Sequence, residues 1–202
     1  MSIVANIDRA AKYIQEGKLV AFPTETVYGL GANALHPLAV AKIFEIKERP
    51  SFDPLIIHIA DLHQLERLVF RVDDRVYKLA EVFWPGPLTM VLPKSNMVPD
   101  IVTAGLSTVG IRMPDNEIAL ELIRKSGCPI AAPSANKFGR ISPTSPAHVK
   151  KQLPNVDYIL EGGKTTVGIE STIIKLTDYG FQLLRSGIIT REELETIVPF
   201  DG

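Results

Sequence analysis

Short apolar segments alternate with amphipathic ones along this sequence, and this alternation restricts the fold more than any other feature. Apolar runs of strand length are typical of buried β-strands, and they occur at 19–22, 55–60, 88–92, 109–112, 129–132 and 158–160 and in a hairpin of 171–176 and 181–185. Apolar residues at helical spacing predict helices, and they occur at 7–16, 37–49, 61–70, 73–83, 116–125 and 145–153 and after a capping box of Thr190 and Glu193. Because the two kinds of segment alternate without strict βαβ regularity, the sequence predicts a mixed sheet covered by helices.

Length, charge and cysteine content limit the class of protein. A chain of 202 residues favours one domain over residues 1–202, with a short helix in 190–202 that would begin a linker. The net charge of −1 gives no basic field that attracts nucleic acid over a distance. The single cysteine, Cys128, is typical of a structural thiol in a reducing compartment. No signal peptide pattern and no apolar run of membrane-spanning length is present, so we expect a cytoplasmic protein with no membrane contact.

Residues 22–58 carry the densest group of candidate ligand-binding side chains. The segment combines a strand end, a glycine turn at 29–31, a helix, a Lys-x-Arg-Pro corner and a second strand. Pro50 should end the helix and hold Arg49 in extended geometry. Residues two apart in an extended chain share a side, so we expect Lys47 and Arg49 to converge on one ligand.

Several familiar sites are missing from the sequence. It contains no P-loop, its glycine turn lacks the third glycine of a dinucleotide fingerprint, and no G-x-S-x-G elbow is present. The four histidines show no metal-ligand spacing with cysteines, so a zinc held by the protein is not expected. A phosphate would need separate cations, such as Lys47, Arg49, Arg112 and Arg185, and a hydroxyl-rich loop such as 134–144. Composition alone therefore indicates a site for an anionic ligand and names no reaction, and His58 is as readily a core residue as a ligand contact.

Six motifs, in this order, resemble those of the YrdC/TsaC family of threonylcarbamoyl-AMP synthases. They are PTETVYGLG, KERP with PL three residues beyond Pro50, TVGIRMP, APSAN followed by SPT, GIEST and LRSG, and the resemblance runs from about Ile7 to Ile189. It implies an α+β fold of three-layer α/β type, with a twisted mixed parallel and antiparallel sheet flanked by helices, like YrdC and RibB. It also implies a nucleotidyltransferase that converts L-threonine, bicarbonate and ATP with magnesium to L-threonylcarbamoyladenylate and pyrophosphate. A separate tRNA-modifying transferase would use that product beside the anticodon.

The resemblance also assigns roles to individual residues. Positions matching the threonine site are Thr26, His58, Arg112, Ala132 (through its backbone) and Ser171. Positions matching the nucleotide site are Lys47, Arg49, Thr108, Ser134, Asn136, Ser142 and Arg185, of which Lys47 and Arg49 are also the catalytic candidates. Asp53 stands where relatives often carry an amide or basic residue, and a carboxylate there would repel phosphate unless it meets magnesium. Magnesium is expected to arrive with ATP and not to be held by the protein alone.

Two other functions are open to a chain of this kind. An RNA-binding module of the same fold is the first alternative, and weak RNA binding by an enzyme is also open. The content of 7% aromatic residues and the lack of an RNA-reading motif argue against the RNA-binding module. A carbon-skeleton enzyme that shares the fold, as in riboflavin-precursor synthesis, is the second. It would need clustered acidic metal ligands near a histidine, and the sequence shows no such cluster.

Overall fold

A computed structural model describes the backbone of residues 3–202 and the side chains from residue 6 onward. The helices are α1 (Ile3–Gln15), α2 (Pro37–Lys47), α3 (Leu62–Leu68), α4 (Asp74–Phe83), α5 (Asp100–Thr103), α6 (Glu117–Ser126), α7 (Pro146–Gln152) and α8 (Arg191–Glu195). The strands are β1 (Val20–Phe22), β2 (Gly29–Asn33), β3 (Ile56–His58), β4 (Leu88–Pro93), β5 (Thr108–Arg112), β6 (Ile130–Ala131), β7 (Tyr158–Ile159), β8 (Thr172–Leu176) and β9 (Phe181–Arg185).

Within this part of the chain the strands form a sheet in the order β7-β1-β2-β6-β3-β5-β4-β8-β9. The pairs β1–β7, β3–β5 and β4–β8 are parallel, whereas β1–β2, β2–β6, β3–β6, β4–β5 and β8–β9 are antiparallel. The predicted mixed sheet is therefore confirmed.

Helices cover both faces of the sheet, which gives the three layers of the predicted α+β fold. Successive side chains in a strand point to opposite faces, and the segment 19–22 follows this rule: Leu19 and Ala21 belong to one apolar cluster, Val20 and Phe22 to another. The first cluster includes residues of α2, α3, α4 and α7, and the second includes residues of α1 and α6. The core is thus divided by the sheet into two parts.

Local capping signals in the sequence are used as predicted. The Asp61 carboxylate accepts a hydrogen bond from the Gln64 backbone N–H (2.9 Å) at the start of α3. Thr190 and Glu193 form the predicted capping box of α8. Such bonds satisfy backbone donors that a helix start leaves without partners. Local chemistry therefore determines where these helices begin.

Three local predictions are wrong. The segment 29–31 belongs to β2 and is not a turn, because its glycines permit close packing: a Cβ at Gly31 would lie 2.8 Å from carbons of Ile130 and Phe22. The segment 98–108, which lies outside every predicted helix and strand, contains α5. Helix α2 ends at Lys47, where Glu48 adopts a left-handed conformation (φ 54°), so the corner is not a simple extended segment.

Candidate functional site

Strand register brings the predicted threonine-site residues together at one edge of the sheet. In the parallel pair β3–β5, His58 lies beside Arg112, and both residues end their strands. The antiparallel neighbour β6 pairs Ile130 with His58, so the segment that follows β6, beginning at Ala132, leaves the sheet at a nearby position. Ligand sites of α/β proteins commonly lie beyond the carboxyl ends of parallel strands. A cavity of about 720 Å³ lies at this edge.

Ten of the thirteen predicted site residues line this cavity. They are Thr26, Arg49, Asp53, His58, Thr108, Arg112, Ala132, Ser134, Ser171 and Arg185. The other three, Lys47, Asn136 and Ser142, lie outside its lining. Most of the residues selected from the sequence therefore lie on the cavity wall.

Arg112 is a buried cation with its guanidinium fixed from several sides. It is 4% exposed, and its Nη2 lies 2.6 Å from Glu25 Oε1. Its Nη1 donates to Thr26 Oγ1 (3.0 Å) and its Nε to the Gly86 carbonyl (3.2 Å). Burial lowers the pKa of Arg112, and the adjacent Glu25 carboxylate opposes that shift. The result is a preoriented guanidinium at the cavity wall, suited to a carboxylate ligand.

His58 lies next to Arg112 and is a neutral polar group without a protein partner on one nitrogen. It is 4% exposed, and among the described residues its Nδ1 has no hydrogen-bond partner. Burial, and then the charge of Arg112, lower the pKa of His58 to about 3, so the ring is uncharged near neutral pH. A buried polar atom without a partner is costly. The neutral His58 ring also lines the cavity, and there it is suited to contact a ligand hydroxyl.

Arg49 faces the cavity from the corner after α2. Its Nη2 lies 2.9 Å from Asp53 Oδ1 and donates to the Pro54 carbonyl (3.0 Å), while its Nε donates to the Asp53 carbonyl (3.2 Å). Burial lowers the pKa of Arg49, and Asp53 opposes that shift. The unexpected aspartate therefore holds this arginine by an ion pair at the cavity wall.

Lys47 lies outside the cavity lining and reaches the loop that follows β6. The residue is 1% exposed, and its Nζ donates to the carbonyls of Ser134 (2.5 Å) and Asn136. Burial, and then the charge of Arg49, lower the pKa of Lys47 to about 7. Because α2 ends at Lys47 and Glu48 turns left-handed, Lys47 and Arg49 do not meet at the cavity. Lys47 instead positions the loop that carries Ser134.

Arg185 also lines the cavity and is bound to residues of the GIEST motif. Its Nε donates to the Ser171 carbonyl (3.0 Å), its Nη2 to Ser171 Oγ (3.0 Å) and its Nη1 to Glu170 Oε2 (2.5 Å). Ser142 Oγ donates to Glu170 Oε1 (3.0 Å). Ser142 thus reaches the cavity through Glu170, which lines it.

Three functional candidates were not identified as site residues from the sequence. Glu25 supports Arg112, Glu170 joins Ser142 to Arg185, and Thr89 forms a hydroxyl pair with Ser171 (2.8 Å between the oxygens) at the cavity wall. Glu25 and Glu170 stand inside the motifs PTET and GIEST, which is a usable signal. Thr89 has no comparable signal, because it is one residue of an apolar strand.

Two further features concern metals and membranes. Among the side chains that the structure describes, no three His, Cys, Asp or Glu residues are grouped as potential metal ligands. No helix within residues 3–202 has the length and apolar character needed to cross a membrane.

A separate groove of about 630 Å³ adjoins the hydroxyl-rich loop. Four of its lining residues carry basic side chains, namely Lys137, Arg140, His148 and Lys151. Ser142 also lines this groove, while its hydroxyl bonds to Glu170 of the first cavity. The two depressions are therefore neighbours.

Comparison with known proteins identifies the family of this chain. A family model for Sua5, YciO and YrdC proteins, described as "Telomere recombination", matches residues 12–187. Threonylcarbamoyl-AMP synthase of Pyrococcus abyssi is 56% identical over 190 residues, which are 94% of this chain and 56% of that protein. The Bacillus subtilis protein of the same name is 52% identical over 194 residues, covering 95% of this chain and 56% of that protein. The chain thus spans little more than half the length of these curated relatives.

Solved structures give the same result. The crystal structure of P. abyssi Sua5 complexed with L-threonine has a TM-score of 0.93 at 54% identity, covering 96% of this chain and 58% of that one. Escherichia coli YciO has a TM-score of 0.82 at 26% identity, covering 93% of this chain and 92% of that one. The family model, the identity to these relatives and the shared fold agree, and this chain belongs to the Sua5/YciO/YrdC family.

Proposed function

We propose that this chain is a threonylcarbamoyl-AMP synthase, which makes L-threonylcarbamoyladenylate and pyrophosphate from L-threonine, bicarbonate and ATP. The names of the two curated relatives and the relative solved with L-threonine support the proposal. The observation that carries it is the cavity itself, where three arginines and several hydroxyls surround one space without a nucleophile–base pair. Such a site suits a reaction that needs positioning and charge neutralisation.

The end of the cavity at Arg112 and His58 suits threonine. The Arg112 guanidinium would take the α-carboxylate, and the neutral ring of His58 would hydrogen-bond the side-chain hydroxyl. Thr26 and Ser171 add hydroxyls, and Ala132 offers its backbone. These groups match the carboxylate, the hydroxyl and the amine of threonine with a cation, a neutral ring and neutral acceptors, respectively.

The part of the cavity wall that carries Arg49 and Arg185 suits the nucleotide. Both guanidiniums line the wall, together with Thr108 and Ser134. Lys47 contributes as a positioning residue, since its ammonium fixes the carbonyls of Ser134 and Asn136. The arginines would neutralise charge that moves onto the leaving pyrophosphate.

The proposed chemistry has two steps. The threonine amine condenses with bicarbonate to a carbamate, with loss of water. A carbamate oxygen then attacks the α-phosphorus of ATP, and the bond to the leaving pyrophosphate breaks. Magnesium bound to ATP would supply further charge neutralisation. Asp53 and Glu170 line the cavity and are suited to hold it, because Mg²⁺ in phosphoryl-transfer sites is usually bound by one or two carboxylates plus substrate phosphates.

The test is pyrophosphate release in the presence of ATP and magnesium. Release should require both threonine and bicarbonate, because the attacking group is their joint product. Equal release with either one omitted would refute the synthase proposal. If the proposal holds, the adenylate would serve a tRNA-modifying transferase in the cytoplasm, and mixing the two proteins with tRNA would test that transfer.

The basic groove favours RNA contact as a second candidate function. Phosphate contacts of Lys and Arg make nucleic-acid binding fall steeply with salt. If the groove of Lys137, Arg140, His148 and Lys151 binds tRNA, then Arg140→Ala and Lys151→Ala should weaken filter binding and reduce its salt dependence. Lys150→Ala is the matched control, since Lys150 lies on α7 beside Lys151 but outside the groove lining. Equal loss in the control variant would argue for nonspecific attraction.

A further inference from the structure

Glu170 is an acidic side chain in a cavity proposed to bind a nucleotide. It precedes β8, its side chain is 37% exposed, and it lines the cavity wall. Each carboxylate oxygen has its own donor: Oε1 accepts from Ser142 Oγ (3.0 Å) and Oε2 from Arg185 Nη1 (2.5 Å). Ser142 and Arg185 are two of the groups to which the nucleotide site is assigned. Glu170 therefore uses donors that a phosphate would need.

Arg185 does not depend on Glu170 for its orientation. Its Nε and Nη2 are bound to the carbonyl and hydroxyl of Ser171, both at 3.0 Å. These two bonds fix the plane of the guanidinium, while Nη1 points to Glu170. Removing the carboxylate should therefore leave the arginine in place with a free donor.

Glu170 also lies within electrostatic reach of the cations around the cavity. Its charge raises the pKa of Lys47, Arg49, Arg112 and Arg185, opposing the lowering that burial causes in each. Glu170 lines the same cavity as Arg49, Arg112 and Arg185, and it contacts Arg185 directly. An incoming phosphate would be attracted to the same region.

We propose that the Glu170 carboxylate competes with a nucleotide phosphate for Ser142 and Arg185, and must leave both before the nucleotide binds. The inference rests on the proposed nucleotide site. A phosphate offers two oxygens to the same two donors, so it replaces both bonds at once. Glu170 thereby becomes a specificity-determining residue, because an anion that makes only one of these contacts does not compensate for the pair that it breaks.

The test is calorimetric binding of AMP without magnesium, so that no metal can engage the carboxylate. Glu170→Gln keeps the size of the side chain and removes the charge, whereas Glu170→Asp keeps the charge and shortens the reach by about 1.5 Å. Both variants should bind AMP at least fivefold more tightly than the natural sequence. The control Glu161→Gln should bind within twofold of it, because Glu161 is exposed and lies outside the cavity lining.

Each remaining outcome contradicts the inference in a distinguishable way. Tighter binding by the glutamine variant alone would indicate a general charge effect and not competition for two donors. Equal or weaker binding by both variants would mean that Glu170 supports the site. No AMP binding by the natural sequence at millimolar ligand would refute the nucleotide site, and this inference with it. Melting temperatures of all variants show whether a loss reflects unfolding.

Discussion

Replacing Lys47 by methionine separates a structural role of this lysine from a direct role in catalysis. The Lys47 ammonium donates to the carbonyls of Ser134 and Asn136, and the residue is 1% exposed. Methionine keeps much of the apolar stem but leaves both carbonyls without that donor. An unsatisfied buried polar group costs about 1–3 kcal/mol, so the loss should be about 2–6 kcal/mol of the free energy of unfolding at a pH well above the lowered pKa of Lys47, where the substitution removes no buried charge. This is a large fraction of the stability of an ordinary domain.

Urea unfolding followed by the fluorescence of Trp84 measures this loss, since the single tryptophan is buried in the core. Lys42→Met is the matched control. Lys42 lies on the same helix, is exposed and donates to one carbonyl, that of Gly17 (2.7 Å). Lys42→Met should lower the free energy of unfolding by less than about 1 kcal/mol. If Lys47→Met is as stable as this control while pyrophosphate release collapses, Lys47 acts on the substrate and the structural reasoning is wrong.

The same substitution also has a pH signature. Burial and Arg49 lower the pKa of Lys47 from 10.5 to about 7. Between these values the unfolded chain binds a proton that the folded chain releases, so this residue makes stability rise with pH from about 7 to about 10.5. Below pH 7 the contribution of Lys47 to the free energy of unfolding is at its lowest and no longer changes with pH. Lys47→Met should remove this rise, and identical slopes in the two proteins would contradict the assignment.

Three further predictions concern the corner arginine, the LRSG glycine and amino-acid selection. Arg49→Lys should lower pyrophosphate release by about 10- to 100-fold with little change in melting temperature, because a point charge cannot replace a guanidinium fork; near-normal turnover would make Arg49 an ordinary surface cation. Gly187→Ala should lower the free energy of unfolding by about 1–3 kcal/mol, since its Cβ would lie 2.4 Å from the Thr172 nitrogen and 2.8 Å from the Glu170 carbonyl oxygen. A variant with the same denaturation midpoint as the unsubstituted protein would contradict this. Valine should be used at least tenfold less well than threonine, because it offers no hydroxyl to the neutral His58 ring, whereas serine should lose about fivefold by missing a methyl contact; comparable use of valine would show that the hydroxyl is bound elsewhere.

Features that depend on neighbouring residues were predictable from the sequence. Asp61 and the Thr190–Glu193 pair determine helix starts through bonds that span three residues. Short apolar runs predicted most of the strands, because a strand that is buried on both faces needs apolar residues along its whole length. The motif resemblance located ten cavity residues, since each motif lies where a strand or helix meets a loop. Glycines were the main local ambiguity: Gly29 and Gly31 look like a turn, yet they lie in β2.

Partners that come from distant parts of the chain were decided by the tertiary structure alone. The sequence shows that Lys47 and Arg49 are two residues apart, but the left-handed Glu48 sends one to a loop and the other to the cavity. It shows Glu25 and Glu170 within motifs, but not that they pair with Arg112 and Arg185. An ion pair depends on the distance between side chains and on their burial. The packing of the whole sheet sets both, and no spacing along the chain encodes them.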